Sequence, residues 1–276
     1  MLIFSLPRRL CLALLLVLCA AAQAQVQAPA VFRIGVAPHT SARVILEMYQ
    51  PLRVQLENAL GMPVEVVTAP DFTQFARRML HQDYDIAITT GHQALLSQSD
   101  AGYSPLLTYR AEFRAVALVA GNSPYRSAKD LRGKPVLGLS STSLVTLWGQ
   151  HWLTGQGILE PIRYVSASDS VARLVLAGEA AAGFMSMANY QSLTRDLQVR
   201  LRFLVISDAL PGRIYMLNQR HLVRKDKIDA ALWNFADSAA GKAYFEKYKL
   251  EGYRKLKRRE LEPMAPFART VRQSLQ

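Results

Sequence analysis

Cysteine is almost missing from this chain. Its 276 residues hold 2 cysteines, Cys11 and Cys19, and both stand in one greasy N-terminal stretch. Arg8 and Arg9 precede an apolar run over 10–22, which closes with Ala22-Gln23-Ala24. A basic start, a short apolar centre and an A-x-A end predict a cleavable secretory leader over 1–24. Without that leader the chain has no cysteine, which excludes a disulfide framework, a thiol nucleophile and a thiolate metal site. The apolar run is roughly half of the ~20 residues that a bilayer-spanning helix needs, and no later segment approaches that length. The expected product is a soluble monomer in the periplasm.

Acidic residues are also scarce: 21 Asp and Glu stand against 33 Lys and Arg, for a formal charge of +12. Loss of Arg8 and Arg9 with the leader lowers this by two. The balance suits a small anionic ligand. Nucleic acid is a poor partner, because the chain is exported and no aromatic platform interleaves with its charge. Lys255, Lys257, Arg258 and Arg259 read as a solvated helix face, with an anionic membrane surface as the alternative.

Catalytic signatures are absent too. There is no H-E-x-x-H, Walker loop or GxGxxG, and the five histidines are scattered. Gly138-x-Ser140 lacks the second glycine of a nucleophile elbow. The sequence therefore offers no catalytic residue, metal site or cofactor, and points to binding rather than turnover.

What the chain does have is regular alternation of strands and helices. Strands are expected over 31–36, 64–68 and 85–88, with helical spacing at Val44, Ile45 and Met48. Pro51 is expected to open a new helix, carrying Leu52, Leu56 and Leu60 and ended by Gly61. Asp71 is placed to cap a helix over 73–80. A turn-rich linker follows His92 and leads to an extended run over 113–120. The pattern then restarts with strands over 135–139, 163–165, 181–185 and 201–206, and helices over 142–153 and 171–177. A strand over 214–217, a helix over 226–238 and a basic helical tail complete it. Such alternation predicts parallel α/β architecture with helices on both faces. Two units joined by the extended runs 113–120 and 214–217 make a bilobed protein with a cleft. Ligands in such sheets lie beyond the carboxyl ends of the strands. That rule selects His39-Thr40-Ser41, Asp71-Phe72, Thr89-Thr90-His92, 140–143, 166–170 and Ser186.

The sharpest chemical signal is Ser140-Ser141-Thr142-Ser143, where a buried strand hands over to a helix. The first turn of a helix has unpaired N–H groups and a dipole that favours negative charge. Hydroxyls added there form a donor array for a tetrahedral oxyanion, and each also accepts, so a protonated ligand oxygen is readable as well. An ordinary N-cap with spare polar residues is the competing reading. His39 and His92 are either donors to an anion or loop residues with local hydrogen bonds. Asp169 either accepts from a protonated ligand oxygen or caps the helix that follows. Trp148, Trp152 and Trp233 fall on apolar helix faces and read as core.

Several stretches stand in a telling order: Pro51-Leu52 through Leu56-Glu57 to Leu60-Gly61 and Pro63-Val64, then Ala69-Pro70-Asp71-Phe72 and Asp85-Ile86-Ala87. Asp130-Leu131-Arg132-Gly133-Lys134-Pro135, Ser141-Thr142-Ser143 and Leu210-Pro211-Gly212 follow. Taken in order they resemble the PhnD-like phosphate, phosphite and phosphonate binding proteins of bacterial ABC importers. The resemblance implies a type II periplasmic-binding-protein fold, with two doubly wound α/β lobes joined by two hinge strands. Lobe 1 would comprise 31–115 and 207–276, and lobe 2 would comprise 116–206. It implies a phosphorus oxyanion held in the cleft by Ser141, Thr142 and Ser143 and delivered to an ABC permease. Thr89, Thr90, Ser168, Asp169, His39 and Phe72 complete the expected set. Ser168 stands where many members carry a histidine, and Leu144 replaces a usual glycine. Phe72 and Thr89 stand where aromatic residues, often with a hydroxyl, are common. Ala188 and Arg213 fall where aminoalkylphosphonate binders use acids, and an arginine there repels an ammonium group. These departures leave open a second reading, a sensory subunit that reports a different small anion to a membrane-bound signalling protein.

Overall fold

The computed structural model describes residues 30–276; the leader read over 1–24, with Cys11 and Cys19, lies outside them. Among the described residues no helix is long and apolar enough to cross a membrane. The first run of elements is β1 (Phe32–Val36), α1 (Ala42–Leu60), β2 (Val64–Val67), α2 (Phe72–Leu80), β3 (Ile86–Thr90), α3 (Gly91–Asp100) and β4 (Tyr103–Tyr109). The chain then builds β5 (Ala115–Ala120), β6 (Val136–Gly138), α4 (Leu144–Gly155), β7 (Ile162–Tyr164), α5 (Ser168–Leu176), β8 (Ala182–Ser186), α6 (Met187–Gln191), α7 (Arg195–Val199) and β9 (Leu201–Ile206). It returns through β10 (Arg213–Asn218), α8 (Lys225–Asp237), α9 (Ala239–Tyr248), β11 (Tyr253–Arg254) and α10 (Ala265–Leu275).

These strands form two sheets, in the orders β11-β4-β10-β3-β1-β2 and β7-β6-β8-β5-β9. Each has three parallel strands with the first in sequence in the middle, extended by an antiparallel strand that enters from the other lobe, β10 in the first and β5 in the second. Helices cover both faces, so strands read as continuous apolar runs rather than alternating ones. In β10, Ile214 and Met216 enter the core under α2 and α3, while Tyr215 and Leu217 enter the core under α1 and α8. Val116 and Leu118 of β5 face α5, and Ala117 and Val119 pack on the opposite face with Leu153 and Phe184. The architecture is the bilobed type II α/β fold.

The chain crosses between lobes at 110–114 and 207–212, tied together by a bridge between Phe113 and Leu210. The runs 113–120 and 214–217 therefore lie mostly inside the sheets, next to the crossings. A buried tyrosine network holds the lobe-1 ends of both crossings. Tyr109, the last residue of β4, shares hydrogen bonds of 2.6 Å with the hydroxyls of Tyr215 and Tyr244, and Tyr215 contacts the Tyr253 hydroxyl at 2.9 Å.

Three differences from the sequence reading have physical causes. Pro51 starts no new helix; α1 runs through it for 19 residues. A mid-helix proline costs one hydrogen bond, yet Ile45, Met48, Tyr49, Leu52 and Leu56 form one buried stripe across it. The linker after His92 is α3, which opens on Gly91 and buries the polar Gln93 and Ser97 with Ala94 and Leu96. Its weak amphipathic pattern hid it, since tertiary packing against α10 supplies what its own periodicity does not. β4 was hidden in the same linker.

Gly149 lets α4 lie flat on the second sheet, because a Cβ there would stand 2.4 Å from the Phe184 ring. Removing the hydroxyl at the centre of the tyrosine network by Tyr109→Phe leaves buried partners unpaired and is expected to cost about 1–3 kcal/mol. Chemical denaturation should show it as a lower midpoint at unchanged slope; an unaltered midpoint would remove the network from the account of the crossings.

Candidate functional site

Between the sheets lies a narrow space of about 30 Å³. Its walls are Ala37, His39, Phe72, Ile88, Thr89, Thr90, Phe113 and Arg213 from one side and the crossing, and Leu139, Ser143, Leu144, Val145, Ser186 and Asn189 from the other. These residues stand where strands end: β1 leads to His39, β3 to Thr89 and Thr90, β6 to the serine cluster, and β8 to Ser186. Phe72, Thr90 and Ser143 mark the starts of α2, α3 and α4, so three helix N-termini border the same space.

The serine cluster divides its tasks. Ser143 is the N-cap of α4: its hydroxyl accepts from the Thr146 amide and donates to the Thr146 hydroxyl at 2.7 Å. Leu144 and Val145 are also in the wall, and their amides have no protein acceptor among the described residues. Thr142 is fully buried against the opposite lobe, its hydroxyl 3.0 Å from that of Thr73. Ser141 is exposed and outside the wall.

A seam of hydrogen bonds closes over Thr142. His92 Nε2 donates to its carbonyl oxygen at 2.9 Å, and Gln93 Nε2 approaches the same oxygen at 3.5 Å. A carbonyl only accepts, so the proton sits on Nε2, and the Thr90 hydroxyl donates to Nδ1 at 3.2 Å. Burial lowers the His92 pKa to about 4, against the opposing pull of the Thr142 carbonyl, so the ring is neutral at ordinary pH. Thr89 donates to Gln93 Oε1 at 2.8 Å. On the other flank, Asn189 Nδ2 donates to the His39 carbonyl at 3.2 Å and to the Ser168 hydroxyl at 2.6 Å.

His39 itself donates from Nδ1 to the Ala37 carbonyl at 2.9 Å, while its Nε2 is shielded from solvent and has no partner among the described residues. Burial first, and the neighbouring Arg213 charge second, lower its pKa to about 3. The ring is thus neutral, and Nε2 keeps a bare lone pair.

Of the residues read from the sequence, His39, Phe72, Thr89, Thr90 and Ser143 meet in the wall. Thr142 lies in the seam and Ser168 stands one step behind Asn189. Asp169 is not the cap of α5, whose N-cap is Ala167; its side chain is 59% exposed and lies 3.9 Å from Arg173.

The sequence reading missed Asn189 as a wall residue, and it placed Arg213 near the ligand only through the family resemblance, as a charge that repels an ammonium group. Arg213 is the first residue of β10 and pairs in register with Thr90 at the end of β3, which places it at the cleft. The signal was topological: an antiparallel return strand begins where its parallel neighbour ends. Arg213 forms no ion pair among the described residues. The wall has one cation and no carboxylate. A cation beside unpaired helix-start amides favours an anion.

The comparisons with known proteins agree with this geometry. PhnD1 from Prochlorococcus marinus, solved with methylphosphonate, superposes with a TM-score of 0.78 at 13% identity, covering 88% of this chain and 98% of its own. XAC2383 from Xanthomonas citri, bound to ATP, gives 0.73 at 18% identity, covering 89% and 99%. PA3383 from Pseudomonas aeruginosa, a binding protein component of an ABC phosphonate transporter, gives 0.75 at 14%, covering 90% and 89%. No curated protein matches the sequence. Residues 34–261, most of the chain, match the family described as ABC transporter, phosphonate, periplasmic substrate-binding protein. With that match, the strand-end cleft and its lone arginine have their context: the chain belongs to the periplasmic substrate-binding proteins of phosphonate ABC transporters.

Proposed function

We propose that this protein captures a phosphorus oxyanion in the interlobe cleft, closes over it and hands it to an ABC permease, with no catalysis of its own. The observation that carries the reading is Arg213, a guanidinium in the wall without a carboxylate partner, set across from the open amides of Leu144 and Val145. Family membership supports the phosphorus class, and the methylphosphonate and ATP bound by two structural neighbours both carry phosphorus oxyanions. A phosphonate, phosphite or phosphate meets the chemistry of the site. An aminoalkylphosphonate does not, since Arg213 repels its ammonium group.

In this reading Ser143 presents its helix start to the ligand, with Thr89, Thr90, His39 and Phe72 as the facing wall. Thr142 joins the lobes, Ser168 acts through Asn189, and Ser141 and Asp169 stay at the rim. Residues 31–115 and 207–276 form one lobe and 116–206 the other, turning about the two crossings. The leader over 1–24 directs export, and the mature protein acts as a monomer.

Arg213→Ala removes the only cation of the wall. Losing one member of a buried charge-assisted pair costs about 2–5 kcal/mol, so affinity for methylphosphonate should fall by about thirty-fold or more. Titration calorimetry reads this directly, and Arg213→Lys should recover part of it. Unchanged affinity in Arg213→Ala would sink the anion assignment.

His92→Ala touches no ligand yet removes a seam bond worth about 1 kcal/mol. If closure and binding are linked, affinity should drop several-fold, because less of the protein is in the competent closed state. Equal affinity in a normally folded variant would separate the seam from ligand capture.

A further inference from the structure

The proposed function leaves open which protonation state of the oxyanion is bound, and the wall contains a group that decides it. His39 Nδ1 is occupied as a donor to the Ala37 carbonyl. Its Nε2 therefore has a lone pair and no hydrogen, is closed off from solvent, and has no partner among the described residues. A buried unpaired acceptor costs free energy unless a donor meets it, and His39 lines the cleft together with Arg213.

The groups facing His39 explain why it does not simply take a proton. Among the described residues Arg213 at the start of β10 is the charge that acts on it. The rest of the wall is uncharged: α6 supplies Asn189, β3 supplies Thr89 and Thr90, α2 supplies Phe72, and the crossing supplies Phe113. Burial and that cation both oppose a second positive charge on the ring.

Resting on the phosphorus-oxyanion reading, we propose that His39 Nε2 accepts a hydrogen bond from a hydroxyl of the bound ligand, so that the site selects a singly protonated phosphorus oxyanion. One ligand oxygen, negatively charged, faces Arg213, and another, still carrying its proton, faces His39. The fully deprotonated dianion places an oxygen lone pair against the Nε2 lone pair. A sulfonate of the same shape and single charge satisfies Arg213 but has no hydrogen for His39. A site built to meet a ligand hydroxyl rejects the analogue that lacks it, because its own polar group is left unpaired. Arg213 supplies the preference for charge, and His39 supplies the preference for phosphorus over sulfur.

The test compares methylphosphonate with methanesulfonate by titration calorimetry on the mature protein, at a pH below the second ionisation of the phosphonate. The wild type should prefer the phosphonate by at least about a hundred-fold. His39→Leu should bring the two within about tenfold, chiefly by weakening the phosphonate. His39→Gln, which offers an amide oxygen as acceptor, should keep most of the preference, and melting curves would establish that both variants fold. In the wild type, affinity should also fall by about tenfold per pH unit above the second pKa of the ligand, as the monoanion is depleted. Equal binding of the sulfonate, a preference untouched by His39→Leu, or affinity that rises with pH would each overturn the assignment of His39 while leaving the cleft an anion site. Failure of the wild type to bind either compound would overturn the phosphorus reading itself, and this inference with it.

Discussion

When a parallel strand passes directly into a helix, the first amides of that helix have no carbonyl behind them. This constraint organises the molecule. The sheets place the ends of β1, β3, β6 and β8 around one narrow space, and the starts of α2, α3 and α4 line it. Residues that serve the fold at these junctions also face the cleft. Ser143 caps α4 with the same hydroxyl that lines the wall, and Thr90 orients His92 from the N-cap position of α3. The glycines at the junctions follow the same logic. A Cβ at Gly91 would meet Pro211 at 2.5 Å, so α3 must open on glycine for the return crossing to pass beside it.

Charge enters this frame sparingly. Three helix starts and one arginine give a positive field, while the two histidines at the cleft are held neutral by burial. Neutrality matters because the two rings do different work. His92 is fully bonded and joins the lobes, with Nε2 donating and Nδ1 accepting. His39 is half bonded, and its remaining nitrogen is shielded from solvent without a partner among the described residues. Asp85, a buried carboxylate in one of the family-like stretches, lies away from the wall and is matched by Arg220 at 2.8 Å and His221 at 2.5 Å. Its negative charge is thus neutralised by its own partners rather than by a ligand.

The parts of this design legible in the sequence are those written locally. Continuous apolar runs announced the buried strands, and Asp71 and Gly61 announced the ends of α2 and α1 as caps. The serine cluster announced a strand–helix junction, but local pattern does not say which way each hydroxyl points. Neighbouring positions there diverge, with Ser141 exposed, Thr142 in the seam and Ser143 in the wall. Asn189 depends on contacts between lobes that no local pattern encodes, and Arg213, which the family resemblance set near the ligand, takes its cleft position from strand pairing with a residue more than a hundred positions away. α3 escaped notice for a related reason: its buried face includes Gln93 and Ser97, so its amphipathic signature is blurred by the polar groups it uses.

The closing of the cleft is shared between two kinds of contact. The polar seam through Thr142 is directional and contributes about 1 kcal/mol per hydrogen bond, because each replaces a bond to water. Beyond it lies an apolar patch in which Leu147 of α4 packs among Ala76, Leu96, Ala268 and Val271 from the opposite lobe. Burying a leucine is worth about 1.5–3 kcal/mol and imposes no angle. α4 carries both contacts, since Thr142 immediately precedes its cap and Leu147 lies one turn into it. A ligand that binds at the start of α4 therefore acts on the element that already holds the lobes together. The patch lowers the cost of closure for any occupant, and discrimination between occupants falls to the few polar atoms of the wall.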